Sequence, residues 1–394
     1  MRARAGCRNA GVPSIIPRMR IRRFPRGAAP LVFAIVAGCP ADSTSPHGPP
    51  TAVGWSVLPN GPVRPDANHH MDITFINADT GWLADIDGKL WRTQDGGATW
   101  SMVNFSASIL MRSVAFISPA HGFVGNLNNY ANPVPGVSLW ETTDSGKTLT
   151  NISSRIAGPS PAGVCGMWAI DDTTVVAVGR WNGPAFFLKT VDAGQTWTSI
   201  DLTPLATGIV DVYFKDPMHG FLVGGDGVGN LGAEQLASKT VILGTIDGGA
   251  TWQVRFKSTQ SGTWGWKFAF PSDSIGYVAE QGPNQGGFFV KTTDGGMTWT
   301  ERSIGTAVGF SGIGFASDNV GWIGSDTATF ETDDGGTSWR LVRFGTSPEG
   351  ENINRFRMLP NAIGYAAGHA VYKFDGSLMG RRVTTSPRVA SPSR

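Results

Sequence analysis

One eight-residue pattern recurs along this chain and constrains its fold more than any other feature. It reads Thr93-Gln-Asp95-Gly-Gly97-Ala-Thr99-Trp100, Thr190-Val-Asp192-Ala-Gly194-Gln-Thr196-Trp197 and Thr245-Ile-Asp247-Gly-Gly249-Ala-Thr251-Trp252, with further copies at 292–299 and 332–339. A sixth copy, 142–149, ends in Leu149 instead of Trp, and a seventh is cut short at Phe374-Asp375-Gly376. The seven aspartates (Asp95, Asp144, Asp192, Asp247, Asp294, Asp334, Asp375) are spaced by 40 to 55 residues. That interval suits one four-stranded blade of a β-propeller. Each part of the motif has a mechanical reason to exist. The carboxylate can accept backbone N–H bonds inside a tight turn, the glycine can take a positive φ, and the hydroxyls can bond locally. The Trp then opens the outer strand and buries a large ring. The aspartates are therefore read as structural.

A second motif keeps the same count. A large residue precedes a turn position by six: Phe75/Gly81, Phe116/Gly122, Trp168/Thr174, Phe214/Gly220, Phe270/Gly276, Phe315/Gly321 and Met358/Gly364. This predicts strand, turn, strand, with side chains alternating between faces. The last unit, from Arg355, lacks a fourth strand, whereas Gly54-Trp55-Ser56-Val57-Leu58 is an outer-type strand with no unit of its own. The expected fold is thus all-β: a seven-bladed propeller of four-stranded antiparallel blades over residues 53–378, closed by the N-terminal strand completing the last blade. Fifty-three glycines and 16% charged residues fit many short strands joined by turns.

Ahead of the propeller, a basic segment around Arg20–Arg26 and an apolar run, Ala28–Gly38, read as an export signal with Met19 the expected start. The run is too short to span a bilayer of ~30 Å as a helix. Its exit, Val36-Ala37-Gly38-Cys39, resembles the lipobox of bacterial lipoproteins. The resemblance implies cleavage after residue 38 and lipidation of Cys39, hence a membrane-anchored protein facing the periplasm or the cell exterior. Residues 39–52 read as a flexible tether and 379–394 as a disordered tail. Cys165 is then the sole thiol of the propeller and reads as a small buried hydrophobe.

Together the two motifs resemble the photosystem II stability/assembly factor-like group within the Asp-box, or BNR-repeat, propellers. The resemblance covers 53–378. It implies the fold and, for those assembly factors, protein binding. Sialidases, xyloglucanases and sortilin-type receptors carry the same box on other arrangements, so the motif is weakly specific for function.

Strand connections in such a blade alternate between two faces. The Asp boxes and the strand-one turns fall on one. The long insertions (Asn126–Val137, Arg180–Pro184, Gly225–Lys239, Gln281–Gly287) all fall on the other, which is the expected recognition face. Near the central opening, three residues before each large residue of the second motif, stand Asp72, Ser113, Cys165, Asp211, Lys267, Gly312 and Arg355, with His70, Arg112, Trp266 and Arg357 close by. His70, Asp72, Arg112, Asp211, Trp266, Lys267, Arg355 and Arg357 are the candidate ligand-binding residues.

No catalytic set, metal site or cofactor is expected. Gly227-Val-Gly229-Asn-Leu-Gly232 lacks a strand–helix setting, and His121 and His219 are turn residues of separate blades. Sialidase chemistry would use a Tyr nucleophile and an Arg-Ile-Pro motif, which the propeller does not carry. A net charge of +2 argues against nucleic acid as a partner. The favoured reading is non-catalytic binding of an envelope protein or glycan. The alternative is a glycoside hydrolase using carboxylates across the opening, such as Asp72 and Asp211. The two readings divide on whether those acids are paired with cations or share an open cleft.

Overall fold

A computed structural model describes residues 49–379, apart from 65–68, 129–132, 182, 228–236, 283–285, 307 and 346–350. The export segment, Cys39 and the tail after residue 379 lie outside the described residues. The rest is a seven-bladed β-propeller. Blade I comprises Asp72–Phe75, Gly81–Ala84, Lys89–Thr93 and Ser101–Phe105. Blades II to VI begin with inner strands Met111–Phe116, Gly166–Ala169, Gly208–Phe214, Trp264–Ala269 and Gly312–Phe315. Blade VII takes Arg355–Leu359, Ile363–Ala367 and Val371–Asp375 from one end of the chain and Trp55–Val57 from the other. The register is antiparallel, with Trp55 opposite Phe374 and Val57 opposite Tyr372. Blade III carries one strand more than the repeat predicts: Ile156–Ala157 runs parallel to the outer strand, pairing Ile156 with Trp197.

The Asp boxes fold as their chemistry requires, and nearly identically. In the first, Asp95 accepts the Thr99 N–H at 2.9 Å, the Thr99 hydroxyl at 2.6 Å and the Thr93 hydroxyl at 2.8 Å. The Thr93 oxygen in turn accepts the Gly97 N–H at 2.9 Å. With this many donors, the Thr99 bonds foremost, Asp95 is held down at about 2 despite its exposure. In the six full boxes the residue after the Asp has a positive φ even when it is not glycine, as at Ser145 (72°) and Ala193 (55°), whereas Gly376 of the truncated seventh does not.

That left-handed step also serves packing between blades. It turns a carbonyl outward, and a side chain of the preceding blade donates to it. Tyr365 Oη and Lys373 Nζ reach Gly96 O at 3.0 and 2.9 Å, Lys189 Nζ reaches Gly248 O at 2.8 Å, and Lys291 Nζ reaches Gly335 O at 2.8 Å. Stacked rings run beside these bonds. Trp82 lies on Phe116 at 3.5 Å between centroids, Tyr277 on Phe315 at 3.7 Å, and Tyr365 on Phe75 at 3.7 Å, the last joining blade VII to blade I. Such pairs contribute roughly 0.5–1.5 kcal/mol beyond their buried area.

The second motif is a cross-strand size rule. The large residue and its glycine are register partners, as Phe75 with Gly81 and Phe214 with Gly220. The ring lies over the glycine so closely that a Cβ would meet it at 2.6 Å at Gly81 and 2.5 Å at Gly220. Blade III corrects the sequence reading. The partners there are Ala169 and Val175, not Trp168 and Thr174. Large and small have exchanged strands, and a one-residue shift turns Trp168 to the opposite face. The same shift puts Gly166, not Cys165, at the position equivalent to Asp72. Cys165 is buried in an apolar cluster with Leu127, Val210 and Trp264, where burial pushes its thiol up.

Trp55 packs on Trp322, Phe344, Phe356 and Phe374, stacking on Phe344 at 4.4 Å. Trp55→Ala is expected to cost about 3–5 kcal/mol. Denaturant unfolding monitored by fluorescence should show the loss, whereas a change near zero would mean that the closing strand adds little.

Candidate functional site

The inner strands bring the candidate charges together at their starting ends. Asp72 of blade I and Asp211 of blade IV, both at most 2% exposed in their side chains, are bridged by Arg355 of blade VII. Arg355 Nε donates to Asp72 Oδ1 at 2.8 Å, and its two terminal nitrogens hold Asp211 at 2.8 and 3.1 Å. Backbone donors complete the shell. Asp72 accepts the N–H groups of Ile73 and Val114, and Asp211 that of Phe268, all at 3.0 Å. Burial alone would raise the Asp211 carboxyl. Arg355, Lys267 and these hydrogen bonds outweigh it and hold the group below its ordinary value.

Three further cations surround this bridge. Lys267 Nζ is 4.0 Å from Asp211 Oδ1 and 1% exposed, and it has no hydrogen-bond acceptor. Burial, then Arg355 and Arg112, push it well below the usual lysine range. Arg357 NH2 is 3.9 Å from Asp72 Oδ1, its Nε donates to Ile73 O at 3.0 Å, and burial lowers it to about 10. Arg112 donates to Met71 O at 3.2 Å, an oxygen that Asn354 also reaches at 2.6 Å.

The two remaining candidates point elsewhere. His70, 1% exposed, is fixed between Asp85 and the Pro62 carbonyl. Half-buried Trp266 bonds Gln281 Oε1 at 3.3 Å and lies 6.0 Å from the Trp181 ring. Neighbouring His69 bonds Asn352 at 3.0 Å, and burial and Arg112 lower it to about 3.

Charged side chains thus close the centre on the side of the long insertions. At the other ends of the inner strands lies a cavity of about 310 Å³, lined among others by Thr74, Phe75, Trp168, Asp171, Arg357 and Met358. The Arg357 guanidinium lies over the Trp168 ring at 5.0 Å, a cation–π contact on the cavity wall. Sequence reasoning missed Trp168 because it counted the residue as core. The Ala169/Val175 pairing was the available signal, since a small residue opposite a large one fits the cross-strand rule in reverse.

At the insertions themselves, described residues form firm bases. Asn128 Nδ2 donates to Val134 O at 2.7 Å while its Oδ1 accepts Val134 N–H at 3.1 Å, and Asn126 Nδ2 reaches Val137 O at 2.8 Å. Gly225–Lys239 is tied off by Asp226, which accepts the Lys239 N–H at 2.8 Å and pairs with Lys257 at 2.6 Å.

No protein-family model and no curated protein matches the chain. Solved structures do match. "YCF48 from Cyanidioschyzon merolae" superposes with a TM-score of 0.58 at 18% identity, covering 82% of this chain and 99% of that one. "YCF48 bound to D1 peptide" gives 0.56 at 17%, covering 83% and 99%. The likeness is one of fold. A GH74 xyloglucanase from Xanthomonas campestris gives 0.52 at 12% identity over 82% of this chain and 53% of that one. The WD40 propeller domain of Doa1 gives 0.53 at 12%, covering 82% and 97%. A peptide-bound protein and a xyloglucanase thus share the architecture, and the site must decide between such readings.

Arg355→Met would remove the cation hydrogen-bonded to both buried carboxylates, leaving Lys267 at 4.0 Å from Asp211 and Arg357 at 3.9 Å from Asp72. It is expected to destabilise the propeller by about 3–5 kcal/mol, since a buried pair broken on one side strands the other charge. Adding Asp72→Asn and Asp211→Asn should recover much of the loss. Thermal unfolding of the single and triple variants checks this, and no recovery in the triple variant would contradict it.

Proposed function

We propose that this chain is a non-catalytic binding scaffold of the cell envelope, anchored through Cys39, whose inserted loops hold a protein or glycan partner. The observation that carries the reading is the Arg355 bridge. Hydrolysis of a glycoside needs one carboxyl protonated and a second free to act as base or nucleophile. Here Asp72 and Asp211 are bonded to one guanidinium and to backbone N–H groups, and Asp211 is driven toward ionisation. Neither is placed as a proton donor. A closed centre transfers recognition to the surrounding loops, and all four insertions rise from that side.

The fold likeness to YCF48, one structure of which is described as bound to a D1 peptide, supports a protein over a glycan as the partner class. The cavity walled by Trp168 and Arg357 favours a second reading, in which the partner enters from the Asp-box side.

A membrane pull-down with the soluble propeller distinguishes these. Shortening 126–137 and 225–239 is expected to abolish capture, and Trp168→Ala to leave it intact. Protease treatment of the membranes should remove the captured species and periodate should not. Undiminished capture by the shortened protein, or release of reducing sugar from envelope glycans, would overturn the reading.

A further inference from the structure

One position on the third strand of the blade carries a long charged side chain in six blades: Arg92, Glu141, Lys189, Lys291, Glu331 and Lys373. In blade IV the same register position is Gly244, opposite Phe221. The lysines show what the position does. Lys189, Lys291 and Lys373 each donate to a carbonyl in the next blade's Asp box, Gly248 O, Gly335 O and Gly96 O, at 2.8, 2.8 and 2.9 Å. Lys291 and Lys373 do so over the rings of Tyr277 and Tyr365, at 5.1 and 5.5 Å. The hydroxyls of these tyrosines also bond a second carbonyl beside the first, Asp318 O at 2.9 Å and Ala78 O at 3.1 Å. An ammonium, a ring and two carbonyls form one unit.

Between blades IV and V half of that unit is missing. Phe221 has no hydroxyl, and Gly244 has no side chain. The acceptors remain, as Gly295 O in the box and Asp273 O beside it. A Cβ placed on Gly96, Gly248 or Gly335 would meet a lysine Nζ at 3.0 to 3.1 Å, whereas one on Gly295 meets only the Asp273 oxygen, at 3.0 Å. Among the described residues no donor reaches the Gly295 or the Asp273 oxygen. Arg255 crosses above Gly244, its Cγ 2.7 Å from where a Cβ would stand, yet its guanidinium does not fill the gap over Gly295.

A cavity of about 400 Å³ occupies this seam, lined among others by Phe221, Ile246, Arg255, Asp273, Gly295 and Met297. Ile246 and Met297 are exposed apolar side chains. The charges of the wall balance: Asp273 and Asp294 offset Lys215 and Arg255, while His219 is bonded to Asp216 at 2.9 Å. Net charge therefore does not select the guest. The unused acceptors do.

We propose that this cavity binds a lysine side chain of a partner protein, its ammonium donating to Gly295 O and Asp273 O over the Phe221 ring. The guest supplies the group that the chain itself supplies with Lys291 and Lys373. Ile246 and Met297 give its methylene stem an apolar flank, and the ring adds a cation–π contact. The site lies on the Asp-box side and does not depend on the loops of the opposite face.

Ordered water could satisfy the same carbonyls, so the test isolates the ammonium. The probe is acetyl-Gly-Lys-Gly-amide, beside a twin with norleucine in place of lysine, which keeps the stem and lacks the charge. Binding to the full chain is followed by NMR at the Gly295 and Gly296 amides. The lysine peptide is expected to shift both signals saturably, and the norleucine twin to bind at least about 10-fold more weakly. Gly244→Lys combined with Arg255→Ala, which clears the space above Gly244, rebuilds the chain's own contact and should abolish binding. Should that double variant not fold, the two peptides on the wild type decide alone. No shift at Gly295, equal binding of the two peptides, or undiminished binding by the folded double variant would each overturn the proposal.

Discussion

The guanidinium of Arg355 joins residues that the chain separates by 144 and 283 positions. It sits on the first inner strand residue of blade VII and reaches the corresponding residues of blades I and IV. Its planar fork suits this task, since one face can hold Asp211 through two nitrogens while Nε takes Asp72. The bridge closes the ring's centre on one side and leaves it open on the other. From that asymmetry follow the cavity beside Trp168, the burial of Lys267 and the commitment of both central carboxylates. A hydrolase would need those carboxylates free, whereas a scaffold needs a rigid hub.

Around that hub, a repeated contact holds blade to blade. At four boundaries the Asp-box turn presents an outward carbonyl that the preceding blade grasps, and stacked rings lie beside three of those seams. One local motif therefore does two jobs, shaping its own hairpin and docking it. Insertions on the opposite face escape this constraint, because the Asp boxes do not stand there. Lengthening them leaves the seams intact, which is why variation collects on that side.

Much of this was legible in the sequence because the information is local. An Asp, a hydroxyl four residues later and a left-handed position between them are contained within eight residues, and six full copies with a truncated seventh give the blade count. The unpaired Trp55 strand was legible for the same reason. Blade III misled by one residue because Trp168 satisfies the rule for a large residue, although its neighbour Ala169 faces Val175. The central charges could be assigned to the opening but not paired, since pairing depends on which arginine reaches across the ring. His70 and Trp266 lie close in sequence to that centre, yet their polar atoms bond Asp85, Pro62 and Gln281 instead.

Asp211 is held as an ionised structural anion by Arg355, Lys267 and its hydrogen bonds. Its folded-state value is depressed, so its contribution to stability is present above the unfolded value of about 3.9 and is lost as pH falls through the folded one. The most direct measurement is a carbon-13 titration of the Asp211 carboxyl by NMR. The expected midpoint lies below the ordinary aspartate value and moves upward in Arg355→Met. A midpoint above about 5 in the wild type, as a general acid would show, would contradict it.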